Sequence, residues 1–393
     1  MERRQETRGM HLRPAGMRRV AALAIALVAA ACTSSNPSPP SVPRQHSPLV
    51  SPTTSAPSPP SVPSATPTAT ATETPAAGQP NVTLIARTPA PIDRVVAGEG
   101  AVYALVQLDN NQLMRVVRFD PSNGSTTSST QIRGATDLVL AGGSLWVSDG
   151  GILRSQQPAS RSLFRMDPSS LRVLARVQLP TAPGPLAVVS AGLWVGATRA
   201  LYLLDPSSGR IVKTVAVRGA IGRLAVDPRN DLLYDSTHQP HDLTVGAIEE
   251  RDGATGSLVS TSSAEQGALV MNALAGTPEG VWAAVATGML GNASFYDRSG
   301  LRPRGTAIRG ANGIGVDYVD GVLWIPDAMT GHLRCADPVT GAVRAWIPRV
   351  GANHDDSYAS NIVAIGTTFY IGALNAGLVR IDPGRACGRL TAN

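Results

Sequence analysis

A five-residue turn that comes round again and again limits what this chain can become. Asp337-Pro338-Val339-Thr340-Gly341 stands between two apolar-rich runs, 333–336 and 342–347. Asp at the first corner hydrogen-bonds the backbone ahead of it, Pro presets φ at the second, and Gly takes the left-handed conformation that closes a hairpin. The same signal appears at Asp120-Pro121-Ser122-Asn123-Gly124, Asp167-Pro168, Asp205-Pro206-Ser207-Ser208-Gly209, Asp252-Gly253-Ala254-Thr255-Gly256, Asp297-Arg298-Ser299-Gly300 and Asp382-Pro383-Gly384, seven in all. Successive aspartates are 47, 38, 47, 45, 40 and 45 residues apart.

A period of roughly 40–45 residues is the length of one four-stranded propeller blade. An aromatic keeps step upstream of each turn, at Tyr103, Trp146, Trp194, Tyr234, Trp282, Trp324 and Tyr370. Two independent markers give one count, so the sequence predicts an all-β, seven-bladed β-propeller of four-stranded blades. The blades divide near 92–132, 133–180, 181–219, 220–266, 267–310, 311–350 and 351–393. The run 81–86 has no place in the first repeat and is expected to pair with the last blade, removing an exposed edge. Arg133-Gly134-Ala135, Arg218-Gly219-Ala220 and Arg309-Gly310-Ala311 recur at blade junctions, where the glycine is expected to serve the chain reversal.

The formal charge of +6 misleads about partners. Residues 1–31 hold six of the 34 basic and two of the 28 acidic residues, leaving 28 against 26. No basic run or aromatic–basic stripe follows, so nucleic acid is not an expected partner. Six arginines between Arg3 and Arg19 precede the apolar run Val20–Ala31, the order of an export signal too short to span a bilayer as a mature helix. Leu27-Val28-Ala29-Ala30-Ala31-Cys32 resembles the lipobox of bacterial lipoproteins, in which the Cys becomes the lipidated first residue. That resemblance implies a signal peptide over 1–31 and a membrane anchor at Cys32. From 32 to 80 Ser, Pro, Thr and Ala dominate, too little apolar surface for a core, and the segment is expected to be a disordered tether. The folded part is then 81–393, monomeric, on the extracytoplasmic side of a bacterial cell membrane.

Outside the cytoplasm an even pair of cysteines invites a disulfide. Cys335 and Cys387, on adjacent blades, either form that bond or stay as two buried thiols. In propellers the b–c loops and the blade-to-blade connections open on one face. His238, His241 and Asp242 fall there in blade four, Asp327 and His332 in blade six, and His354, Asp355 and Asp356 before blade seven. Imidazole and carboxylate are ligands of zinc and related ions, which makes these eight residues the candidate face for a ligand or a divalent metal. A solvated rim is the competing explanation. No nucleophile elbow, phosphate-binding glycine loop or Cys-x-x-Cys is present, and no catalytic residue is assigned.

Gly321-Val322-Leu323-Trp324-Ile325, followed by 333–341 with its Asp-Pro turn, resembles the bacterial seven-bladed propellers of the streptogramin lyase and YncE-like groups, over about residues 92–393. The resemblance implies a metal-dependent site of His and Glu on the ligand face. Here the ends of the b strands carry Asp149, Ala197, Ser236, Asp327 and Ala373, with no Glu, and only His332 sits in a comparable place. The first expectation is therefore a lipid-anchored, non-catalytic module that binds an unknown small molecule or protein through its loop face. The alternative is a metal-dependent lyase or hydrolase using His238, His241, His332 and His354 with Asp327 or Asp356. No other cofactor is expected.

Overall fold

The structure, a computed structural model, describes residues 80–393 apart from 109–112, 151–159, 240–241, 263–264, 267–270, 288–289, 312–314, 328–329, 352–356, 386 and 388–393. β1 (Asn81–Ala86) precedes a sheet of β2 (Ile92–Gly98), β3 (Ala101–Gln107), β4 (Leu113–Phe119) and β5 (Thr126–Arg133). A second sheet holds β6 (Ala135–Ala141), β7 (Ser144–Asp149), β8 (Ser162–Met166) and β9 (Val173–Gln178). β10 (Pro183–Val189), β11 (Gly192–Leu204), β12 (Ile211–Asp227), β13 (Leu232–Gln239), β14 (Asp242–Asp252) and β15 (Leu258–Thr261) then share one sheet, with β16 (Glu265–Gln266) also on β14. The fourth sheet is β17 (Met271–Thr277), β18 (Gly280–Thr287), β19 (Leu290–Asp297) and β20 (Pro303–Arg309). The fifth is β21 (Asp317–Val319), β22 (Val322–Pro326), β23 (Leu333–Ala336) and β24 (Val343–Ile347). The last joins β25 (Tyr358–Ile365), β26 (Thr368–Ala373) and β27 (Gly377–Asp382) to β1, so that both ends of the folded part build one sheet.

The expectation of seven separate blades is corrected here: among the described residues there are six sheets, five of four strands and one of seven. The third and fourth repeats are fused through β12. That 17-residue strand pairs with β11 up to Ala220 and with β13 from Ala220 to Asp227. The cause lies in one glycine. At two of the Arg-Gly-Ala junctions the glycine is left-handed, Gly134 at φ 76° and Gly310 at φ 72°, and the strand ends there. Gly219 is not among the positive-φ glycines, so the chain stays extended and the ladder runs through.

The innermost strands β2, β6, β10, β12, β17, β21 and β25 lie against one another in that order, and β25 meets β2 to close the ring. Apolar clusters fill the spaces between successive sheets, for example Leu274, Val281 and Tyr296 against Tyr234 and Ile248. Another cluster lies inside the double-width sheet, where Ala187 and Leu201 face Leu224 and Leu233.

The two sequence markers prove to be one physical device. Six of the Asp turns close as a ring, as where Gly256 N–H donates to Asp252 O at 2.7 Å and Thr255 N–H to Asp252 Oδ1 at 2.7 Å. At Trp146, Trp194 and Trp282 the aromatic of one repeat then covers the turn of the next. Trp194 Nε1 donates to Gly253 O, and Trp282 Nε1 to Pro338 O, both at 2.7 Å. A Cβ on Gly256 would come within 2.7 Å of the Trp194 ring, and one on Gly341 within 2.6 Å of Trp282. Indole and glycine therefore recur at a fixed distance because each fills the other's space. Cys335 and Cys387 are joined by a disulfide with Cα atoms 5.8 Å apart, tying β23 to the segment after β27.

Candidate functional site

In each repeat the b-strand aromatic stands opposite one residue of the innermost strand, such as Val96 for Tyr103, Val139 for Trp146 and Ala225 for Tyr234. Two residues earlier in the chain come Arg94, Asp137, Pro185, Arg223, Ala273, Gly315 and Asn361, all on the innermost strands except Gly315, which precedes β21. They form a belt at one level of the channel. A register shift interrupts the pairing at or just before this level in β2, β6, β10, β12, β17 and β25. Such bulges bend a strand and re-aim its side chains, which explains how charged groups leave an apolar strand for the axis.

Part of the belt holds the ring together. Innermost strands of neighbouring sheets share no ladder, so side chains supply the bonds. Asp137 accepts Arg94 Nε at 3.0 Å and, across to β10, Leu186 N–H at 2.9 Å. Asn361 both accepts from Val95 N–H at 2.8 Å and donates to Val95 O at 2.9 Å, joining β25 to β2. Asp317 Oδ2 takes Ile362 N–H at 3.1 Å, joining β21 to β25.

The rest of the belt surrounds space. Ala273 and Gly315 are too short to reach the axis. Beside them lies a cavity of about 190 Å³ that runs from Arg94, Arg223 and Asn361 along β12, β17 and β21 to Val226, Gly276 and Tyr318. These last residues approach the a–b turns, so the cavity extends away from the b–c loops. Burial pushes the Asp317 carboxyl up to about 6, against the opposing pull of Arg94, the Ile362 N–H and Arg223. Burial lowers Arg223, with the Arg94 charge adding to the effect. Burial alone would lower Arg94 too, but the Asp137 carboxylate outweighs it and raises it.

Behind Arg223 stand two further polar groups. Ser236 is directly opposite Arg223 in the β12–β13 ladder, and His238 is two residues on, so all three share one face. Ser236 is fully buried and His238 is 4% exposed, and neither Ser236 Oγ nor either imidazole nitrogen has a hydrogen-bond partner. Gly222 makes room for them: a Cβ there would lie 2.5 Å from His238 Nε2 and 3.1 Å from Ser236 Oγ. Burial, helped by Arg223, lowers the His238 pKa and favours the neutral ring. On the opposite face of the same strands Arg251 bridges Asp235 at 2.6 Å and Glu249.

The other expected site residues are placed as follows. Asp327 is the first corner of an Asx turn, receiving Thr330 N–H at 3.2 Å, and its carboxylate pairs with Arg334. His332 stands edge-on to Trp346 with ring centroids 6.3 Å apart, and Arg334 lies over that indole at 4.6 Å. Asp242 opens β14 opposite Gln239, though its side chain lies outside the described residues. His241, His354, Asp355, Asp356 and Cys32 also lie outside them. Among the described residues no group of three or more His, Cys, Asp or Glu is placed to hold a metal ion. Arg94, Arg223 and Asp317 were missed from sequence, although each is a charge set inside an apolar innermost strand.

No protein-family model and no curated protein matches the chain. Solved structures do. The WD40 domain of Neurospora crassa Pan2 aligns over 78% of this chain and 97% of its own, with TM-score 0.56 and 9% identity. U3-55K aligns over 76% and 98%, with TM-score 0.54 and 11% identity. The fold is a β-propeller. Identities this low speak for the fold alone, and β-propellers commonly serve as protein-binding scaffolds.

Proposed function

We propose that this chain is a lipid-anchored, extracytoplasmic β-propeller that binds a small polar ligand in its channel. The observation that carries the binding role is the cavity beside Ala273 and Gly315. There, Arg94, Arg223, Asp317 and Asn361 stand around about 190 Å³ of space whose remaining lining is mostly apolar. Holding charges out of bulk water is costly, and a partner of matching polarity recovers that cost. The anchor rests on the basic–apolar–cysteine order up to Cys32 and on the Pro-rich segment behind it. Two acyl signals or more are needed for stable attachment, which lipidation of an N-terminal cysteine supplies.

Gly315 provides the test. A Cβ there meets nothing closer than 3.6 Å, so Gly315→Leu fills the cavity without striking the backbone. Full-length protein in detergent is screened by thermal unfolding against small polar metabolites. Ligand at about 100 times Kd adds about 2.7 kcal/mol, a rise of several degrees. A compound that stabilises the wild type but not Gly315→Leu supports the reading; equal shifts in both, or none in either, refute it. For the anchor, Cys32→Ser is expected to move the protein from the membrane to the soluble fraction, and unchanged partition would overturn that part.

A further inference from the structure

We propose that the outer wall of the second and third repeats, running on to β15, is a docking face for the surface of an anionic lipid bilayer. This face is separate from the channel and does not depend on acylation at Cys32.

Charge is divided unequally around the ring. Residues 160–218 hold eight basic and two acidic residues, a net +6, whereas the rest of the folded part, 81–159 and 219–393, holds 19 and 23, a net −4. The two acids, Asp167 and Asp205, are turn residues whose carboxylates accept from the Ser169 and Ser207 hydroxyls. Arg172, Arg176, Arg210, Lys213 and Arg218 are exposed, on β9 and the first half of β12 or directly before them. None of the five forms an ion pair among the described residues.

These strands make one surface. Arg165 donates to Ser207 O, and a Cβ on Gly209 would come within 2.7 Å of Val177 Cγ2, so the turn that leads into Arg210 lies against β9. The next turn repeats the contact, since a Cβ on Gly256 would lie 3.0 Å from Val215 Cγ2 of β12, and β15 follows that turn. Aliphatic side chains line the same three outer strands: Val173 and Leu174 on β9, Val212 on β12, Leu258 and Val259 on β15. They are five of the nine large apolar residues left exposed among the described residues, so the apolar surface gathers where the cations do.

Basic groups attract anionic headgroups, and aliphatic side chains beside them enter the boundary below. Nucleic acid answers the charge but not the aliphatic line, and none of Phe164, Trp194 and Tyr202, the aromatics of 160–218, is exposed for a base to stack on. A protein partner needs anchors in a shape-matched core. A fluid bilayer needs only charge and apolar reach, which an open outer wall offers.

Vesicle flotation tests this with residues 33–393, which lack the export segment and Cys32 and keep the ring that β1 and β27 close. Phosphatidylglycerol vesicles are expected to bind ten-fold or more tighter than phosphatidylcholine vesicles. Most of that preference should vanish at about 1 M salt, where charges are screened beyond about 3 Å. Each cation near such a surface contributes about five-fold, so Arg172→Gln, Arg210→Gln and Lys213→Gln together are expected to weaken binding about 100-fold. Arg176→Gln with Arg218→Gln is a second set, expected to weaken it about 25-fold should the first melt early. Removing the same charge from the fourth repeat, by Arg298→Gln, Arg302→Gln and Arg309→Gln, all exposed, should change it by no more than about five-fold. Leu174→Ser with Val212→Ser should weaken the binding that remains in high salt about ten-fold. The face alone holds reversibly, so a high-salt wash leaves the Cys32→Ser partition reading the anchor by itself. Equal binding to both lipids, equal loss in both triple variants, or tighter binding of polyglutamate or duplex DNA than of phosphatidylglycerol overturns the proposal.

Discussion

If the aromatic of one repeat and the glycine of the next turn occupy each other's space, then enlarging the glycine must be felt through the indole. Gly256→Ala tests this. Its backbone sits at φ +68°, and a Cβ would lie 2.7 Å from Trp194 Cη2, 3.0 Å from Cζ2 and 3.0 Å from Val215 Cγ2. A left-handed alanine costs about 1–2 kcal/mol. Crowding a close-packed side chain adds about 1–3 kcal/mol, and the fully buried Trp194, tied to Gly253 O at 2.7 Å, has little freedom to retreat. The total is about 2–5 kcal/mol. Gly321→Ala is the control, because Gly321 has φ +81° with nothing within 4 Å, leaving about 1–2 kcal/mol for the backbone alone. In a Trp194→Leu background, where only the Val215 contact is left, Gly256→Ala should fall towards the control value, a coupling of about 1–3 kcal/mol. Urea unfolding followed by tryptophan fluorescence reads the wild type, the three variants and the control. If Gly256→Ala costs no more than Gly321→Ala, or costs the same with and without the indole, the coupled-marker argument is wrong.

Three further outcomes are expected. Replacing Cys335 and Cys387 by Ser frees a loop of 52 residues, and chain entropy puts the loss at about 4 kcal/mol, read as a lower urea midpoint that reductant reproduces in the wild type. Asp137→Ala strips Arg94 of its counter-charge and orphans Leu186 N–H, costing about 3–5 kcal/mol, whereas the same change at exposed Asp382 should be near neutral. Asp317 has a folded pKa of about 6, above its ordinary 3.8, so its contribution to stability is full below about pH 4 and is lost as pH rises through 6. Asp205, held down to about 2 by the Ser207 hydroxyl, acts in the opposite sense and is lost as pH falls from about 4 towards 2. Melting temperatures across pH 2–7 should show a shallower upper slope in Asp317→Asn, with the raised Asp235 carboxyl supplying part of what remains, and an unchanged one in Asp205→Asn.

What was legible in the sequence is what repeats for a local reason. Asp252-Gly253-Ala254-Thr255-Gly256 announces its turn because the Asp carboxylate and the left-handed Gly act within five residues. Trp194 could be seen as the partner marker because the same pairing of an indole with the following turn recurs at Trp282. Blade count was less secure because it depends on what happens between units. Arg218-Gly219-Ala220 spells the same words as Arg133-Gly134-Ala135, yet one glycine continues a strand and the other ends it. Glycine permits both backbones, so the tripeptide cannot say which one the surrounding ladder will choose.

The channel belt escaped for a related reason. Ile92-Asp93-Arg94-Val95-Val96 reads as an apolar strand with two solvated charges, and alternation alone would send its odd and even residues to opposite faces. A bulge between Ile92 and Arg94 breaks that alternation, and no residue type announces it in advance. Histidines in loops drew the eye because their chemistry is recognisable without a structure. Yet Asp327 is spent on a turn and on Arg334, while His238 matters only through Arg223, which stands on the neighbouring strand. The cavity itself depends on Ala273 and Gly315, residues that carry no chemistry at all. They define a site by failing to fill a level that Arg94, Asp137, Arg223 and Asn361 otherwise close, and an absence of side chain becomes a signal only when the ring around it is known.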